Sequence, residues 1–217
     1  MTRRTLSVAC MATLAMAASA LGSTLTPGGS TATGGTNAMA SPHAYGAMVH
    51  SQIDEFNILH SSGAVLFHGK LESMVFENSV GDLTFDLAII DSEAGLNGVV
   101  DRIGRTGFSG WLTDVDWRSD AFGIKDPARA DRTLDGNKIE WNGPWSGTTG
   151  IYSGETSRML FASTDAQDFL PNAAVARIVL MSGEFVDITV AAPVPAPGAI
   201  ALLGLAGCLA GHRRRRA

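Results

Sequence analysis

Apolar and polar positions alternate with a period of two in one stretch of this chain after another. Leu83, Phe85, Leu87 and Ile89 alternate with Thr84, Asp86 and Ala88, which sets them on one face of a β-strand. Trp111, Thr113, Val115 and Trp117 alternate with Leu112, Asp114 and Asp116, and Met159, Phe161 and Ser163 with Arg158, Leu160 and Ala162. Ile139 and Trp141 flank Glu140. Segments 64–69, 71–77, 99–106, 173–180 and 184–190 are short, apolar and bounded by turn residues. Turn signals recur at Gly81-Asp82, Asn97-Gly98, Asp135-Gly136, Asn142-Gly143-Pro144 and Gly183. No amphipathic helix of twelve residues is present; residues 164–172 have room for one helical turn. The pattern predicts an all-β domain over 45–191, an antiparallel β-sandwich of eight or nine strands, jelly-roll-like in its winding. Leu83, Phe85, Leu87, Ile89, Val115 and Phe161 are expected to point inward. Residues 21–44 read differently. Of the 21 residues 22–42, 18 are Gly, Ser, Thr, Pro or Ala, a composition expected of a flexible linker or an irregular first turn.

Both ends read as targeting segments. Residues 1–20 have the parts of a secretory signal peptide in order: Arg3 and Arg4, an apolar stretch from Leu6 to Ala18, and the small residues Ala18-Ser19-Ala20. Cleavage is expected before Leu21, with the secretion translocon and signal peptidase as partners. Near the other end stand Pro193-Val194-Pro195-Ala196-Pro197, an uncharged run from Gly198 to Gly211, and His212 followed by Arg213, Arg214, Arg215 and Arg216. The run has 14 residues, fewer than the roughly 20 that span a typical bilayer as a helix. The arginines resist translocation, so the body is expected outside and the arginines inside.

Residues 192–217 resemble a PEP-CTERM sorting signal, in which a Pro-Glu-Pro-like motif precedes a short transmembrane segment and an arginine cluster. Here Ala196 stands where that motif has Glu. The resemblance implies an exported bacterial protein, inserted in the inner membrane by this segment and then processed by an exosortase-type membrane protease. An ordinary single-span tail anchor is the alternative. A second resemblance covers roughly 65–190. Arg105-Thr106-Gly107-Phe108-Ser109-Gly110-Trp111, Ala130-Asp131-Arg132 and Gly154-Glu155-Thr156-Ser157 are similar to motifs of the sandwich passengers of many PEP-CTERM proteins. It implies no enzymatic activity.

Charge and composition narrow the chemistry. The net charge is −5. Six arginines lie at the two ends, so residues 21–192 hold 10 Lys and Arg against 21 Asp and Glu, a balance of 10 − 21 = −11. An acidic body repels phosphate backbones, which excludes nucleic acid as an expected partner. Cys10 and Cys208 both fall in the terminal segments, leaving the body without a disulfide or thiolate site. Asp114, Asp116 and Asp120 form a D-x-D-x-x-x-D run, a candidate calcium site. The competing reading puts Asp114 and Asp116 on the outer face of a strand. The loop 126–137, with Asp126, Asp131, Asp135 and Asn137, is a second candidate of the same kind. His43, His50, His60 and His68 lack metal-site spacing, and no nucleophile elbow or phosphate-binding loop occurs. No cofactor is expected. Trp145, after Gly143-Pro144, is the candidate for an exposed sugar-stacking aromatic.

The sequence thus predicts an exported, non-catalytic sandwich protein of the cell surface or extracellular matrix. A module that binds extracellular polysaccharide or another matrix component is the alternative, and a secreted hydrolase a third reading.

Overall fold

The period-two segments become strands in the computed structural model, which describes residues 24–195. A five-stranded sheet is made by β2 (Ala47–Leu59), β3 (Val65–Glu77), β4 (Leu83–Ile90), β10 (Met159–Thr164) and β6 (Thr113–Arg118), paired in that order. A seven-stranded sheet is made by β1 (Ser30–Ala32), β7 (Pro127–Arg132), β8 (Ile139–Trp145), β5 (Val99–Arg105), β11 (Asp168–Leu180) and β12 (Phe185–Val194) in order, with β9 (Ile151–Tyr152) also paired to β5. All pairs between these strands are antiparallel. The two sheets enclose one core. Phe67, Leu71, Phe85, Leu87, Val115 and Leu160 come from the first sheet, and Ile103, Ile139, Trp141, Ile178 and Val190 from the second. Along β4 and β10 the core residues alternate with outward ones, because the pleat turns successive side chains to opposite faces. Among the described residues, no helix is long and apolar enough to cross a membrane. The signal-peptide residues Ala18, Ala20 and Leu21 lie outside the described residues, as do Ala196, Pro197 and Arg213 to Arg216.

The structure corrects four expectations. Segments 64–69 and 71–77 are one strand, β3, because Gly69 pairs with Phe56 within the ladder instead of turning. The helical turn expected over 164–172 is largely the start of β11, which pairs with Ala192, Pro193 and Val194. Pro171 has no N–H to give the ladder, and it falls in the irregular stretch between Leu170 and Ala174. Phe161 is buried but faces away from the main core. It lies in register with Asp86 on one side and Asp116 on the other, so it shares their face.

The fourth correction concerns residues 21–44. From residue 24 onward this stretch is built into the sandwich. Leu25 is a core residue, β1 pairs with β7, and Pro42–Ala44 form a 3-10 helix. The small residues serve close approach. A Cβ on Gly35 would lie 2.3 Å from the Trp117 ring, and one on Gly46 would lie 1.8 Å from the Glu77 carbonyl oxygen.

Arg132 ties the parts together. It is buried, and its guanidinium donates five hydrogen bonds. Nε reaches the Gly136 carbonyl, Nη1 the Leu25 carbonyl and Thr113 Oγ1, and Nη2 the Phe108 and Trp111 carbonyls, at 2.7–2.9 Å. Arginine carries five donors, so its capacity is filled. We expect Arg132→Ala to lower stability by about 3–5 kcal/mol, because it leaves buried carbonyls unpaired. Arg132→Lys, with three donors on a point charge, should still lose about 2 kcal/mol. Arg177→Ala breaks an exposed pair with Asp187 and should change stability by less than about 1 kcal/mol. Urea unfolding of the three variants checks the ranking, and equal losses for Arg132→Lys and Arg177→Ala would refute it.

Candidate functional site

The outer face of β4, β10 and β6 is covered by the N-terminal stretch, while that of β2 stays exposed, and most of the candidate chemistry lies beneath the cover. Thr36 bonds through its backbone to Trp117 and Ser119, and the 3-10 helix carries Tyr45 across the sheet. Under this cover sit two rows of side chains in register: Met74, Asp86, Phe161 and Asp116, then Phe76, Thr84, Ser163 and Asp114.

Asp86 is fully buried. Its Oδ2 lies 3.0 Å from Arg118 Nε. The Arg118 guanidinium is held between the rings of Tyr45 and Phe76, 4.2 Å from each centroid, and donates to the Ala44 carbonyl. Stacking between two rings suits a planar, weakly hydrated cation. On the other side of the sheet, Arg105 is also fully buried. It donates to the Asp86 and Ala191 carbonyls and lies over Phe85 and Phe108. Burial pulls the Arg105 guanidinium down to about 9, still charged at neutral pH. Burial likewise pushes the Asp86 carboxyl up to about 7, against the opposing pull of Arg118 and then Arg105.

His43 and Asp114 form the second feature. His43 Nε2 donates to Asp114 Oδ2 at 2.8 Å, and the pair borders a cavity of about 150 Å³ that Thr24, Val80, Leu112 and Ser163 also line. A histidine, an acid and a serine thus meet in one concavity. The hydrogen bonds do not make a catalytic relay. Nε2 is held by the carboxylate, while Ser163 Oγ is 2.8 Å from Thr84 Oγ1 and donates more distantly to the His43 carbonyl. The pair fastens the 3-10 helix to β6. His60 Nδ1 lies 2.9 Å from Ser62 Oγ, within one exposed turn.

The carboxylates of the calcium candidate diverge. Asp114 goes to His43. Asp116 Oδ1 accepts from the Gly35 and Trp117 amides. Asp120 Oδ1 accepts from the Tyr45 hydroxyl. Each fastens a different point of the N-terminal cover. Among the described residues, no group of three or more His, Cys, Asp or Glu is placed to hold a metal ion. Asp114 and Asp116 do lie on the outer face of β6, as expected, but the cover buries that face. The stretch 126–137 is not a loop as expected: Pro127–Arg132 is β7, and Asp126 pairs with Ser146, Asp131 with Asn142 and Asp135 with Thr133.

Trp145 is not exposed. It is fully buried in the main core, and its Nε1 donates to the Asp101 carbonyl at 2.8 Å. Ile139 and Trp141 face inward by alternation, and beyond the register irregularity between Asn142 and Trp145 the strand brings Trp145 into the same core. The same alternation puts Arg105 inward behind Ile103. The sequence motifs converge on structure as well. Phe108 and Trp111 give their carbonyls to Arg132. Ser157 is buried, and its Oγ accepts from the Ile89 amide. Glu155 pairs with Lys125 at 3.1 Å.

No protein-family model matches this chain, and no curated protein or solved structure matches it.

The buried Asp86 makes stability depend on pH. An ordinary aspartate titrates near 3.8, and here the folded value is about 7. Between these values the folded state binds more protons than the unfolded state, so this group's contribution falls as pH rises through that window. Asp86→Asn removes the effect. The stability of the variant relative to the native chain should therefore increase from pH 4 to pH 7. Urea unfolding across that range tests it, and a difference that stays constant with pH contradicts the assignment.

Proposed function

We propose that this chain is an exported, non-catalytic β-sandwich protein, delivered to the cell surface or extracellular matrix through its PEP-CTERM-like C-terminal signal. Signal peptidase removes residues 1–20, and an exosortase-type membrane protease acts on the C-terminal segment. The winding of the sandwich, which crosses between the sheets repeatedly, belongs with the jelly-roll-like reading.

One observation carries the proposal: where the proline-rich stretch meets the fold. Pro193 is buried in β12, at the edge of its sheet, and pairs with Phe169. An edge position tolerates a residue without an N–H. The last pair is Val194 with Asp168, and Pro195 is exposed. The hinge therefore begins at Pro195, two residues later than the first proline. Core contacts of this strand end at Ala192. A cut near Pro195–Gly198 thus leaves the sandwich whole, and the prolines hold the cut region extended. Cleavage before Leu21 equally spares Leu25, which the core needs. The non-catalytic reading draws support from the hydrogen bonds of His43 and Ser163 described above.

Intact-mass measurement of the protein from its native cells, where an exosortase-type protease is present, tests the reading. The expected species begins at Leu21 and ends between Pro195 and Gly198. Replacing Arg213 to Arg216 by neutral residues should abolish retention and processing. Replacing Pro195 and Pro197 should block cleavage and leave insertion intact. A protein that stays full length to Ala217 in the membrane overturns the sorting reading in favour of a tail anchor, and one that begins at Met1 overturns export by a cleaved signal.

A further inference from the structure

The outer face of the seven-stranded sheet carries a depression of about 310 Å³. Its floor follows from register. One row across β7, β8 and β5 is Arg129, Asn142 and Arg102. The neighbouring row is Asp131, Glu140 and Gly104. A row of donors thus lies beside a row of acceptors, and the acceptor row ends in a residue with no side chain. Gly143, next to Asn142 on β8, lines the depression. Asp101 and Thr149 also line the depression.

The side chains are held in place by one another. Arg129 Nε donates to Asn142 Oδ1 at 3.1 Å, and Asn142 Nδ2 donates to Asp131 Oδ2 at 2.7 Å. Arg102 Nε lies 3.6 Å from Glu140 Oε1, which also pairs with Lys138 at 2.9 Å. These contacts use part of the capacity present, since a guanidinium has five donors and a carboxylate about four acceptor sites. The rest points to a ligand that offers many donors and acceptors together. Of the lining charges, Asp101, Asp131 and Glu140 stand against Arg102 and Arg129, and Lys138 pairs with Glu140 from beside the depression, so the local set favours neither a polyanion nor a polycation. Tyr152 stands nearby, 43% exposed, with its hydroxyl 3.3 Å from Thr149 Oγ1. An aromatic ring beside planar polar groups offers a stacking surface for a sugar ring. The volume lies at the lower end of the range for small-ligand sites.

We propose that this depression is a binding site for a neutral saccharide, its hydroxyls bridging the Arg129–Asn142–Arg102 row and the Asp131–Glu140 row. The site lies on the sheet opposite the His43 cavity and is unrelated to the buried Trp145. It goes beyond the sorting reading, and a binding assay on unprocessed protein is indifferent to tail cleavage.

The test is calorimetric titration of the full chain, kept in a sugar-free zwitterionic detergent, with glucohexaose, xylohexaose and mannohexaose. A polyuronate hexamer serves as the acidic counterpart. At least one neutral hexaose should bind, with little dependence on salt. Asn142→Ala removes the residue that joins the two rows, and Arg102→Ala removes a donor of the lining; each should weaken binding by about tenfold or more. Lys70→Ala, on the opposite sheet, should leave it unchanged. The proposal is overturned if no neutral hexaose binds at millimolar concentration or if only the polyuronate binds. It is equally overturned if both depression variants bind as the native chain does, or if Lys70→Ala weakens binding as much as they do.

Discussion

Five donors on one guanidinium hold the N-terminal stretch, the 108–111 turn, the start of β6 and the 133–137 turn in a single arrangement. Arg132 does this from the end of β7, where no other side chain could reach all five acceptors. The acceptors are mostly backbone carbonyls, which are costly to bury unpaired. A planar fork meets several of them at once, and a lysine could not. The arrangement accounts for a sandwich that keeps its order without a disulfide in its body. It also explains how a glycine-rich leader comes to be part of the fold: Leu25 enters the core and its carbonyl is fastened by Arg132.

Once fastened there, the leader covers a second, charged layer. Sandwich sheets commonly leave their outer faces to water. Here the β4, β10 and β6 part of the five-stranded sheet's outer face is roofed by residues 35–45, and the roof is attached through polar groups. Gly35 bonds to Asp116, His43 to Asp114, and Tyr45 to Asp120. Beneath it Arg118 stacks between two rings and faces Asp86. Burying this pair strains the ionised carboxylate, and the cost appears as a raised Asp86 pKa. The acidic run that resembled a cation site is therefore a set of fasteners.

The same holds for the sequence motifs at 105–111, 130–132 and 154–157. Phe108, Trp111, Arg132 and Ser157 act on folding, through backbone bonds and burial. Ligand recognition, if carried by this molecule's seven-stranded sheet, falls on Arg102, Arg129, Asn142 and Glu140, which lie beside those motifs and outside the core. Structural residues must meet fixed acceptors, whereas an outward face is free to vary with what it binds.

Much of the fold was legible in the chain because strand pleating imposes a period of two that burial must respect. Leu83, Phe85, Leu87 and Ile89 declared an inward face by alternation alone, whereas Trp145 lies beyond an irregularity in the β7–β8 register, and only the paired sheet turned it inward. Composition misled over residues 24–44, since glycine serves flexibility and close approach equally, and only the Trp117 ring against Gly35 separates the two. The candidate sites were less legible. Asp114, Asp116 and Asp86 alternate with core residues and so read as exposed; a segment distant in the chain buries them. The row of Arg129, Asn142 and Arg102 comes from three strands, and its existence depends on register across the sheet. Local periodicity determined the inward face of β4 and β6, while β10 turned Leu160 and Ala162 inward in place of Phe161. Long-range pairing alone decided which strands became neighbours, which outward faces stayed open to water, and therefore where a ligand could bind.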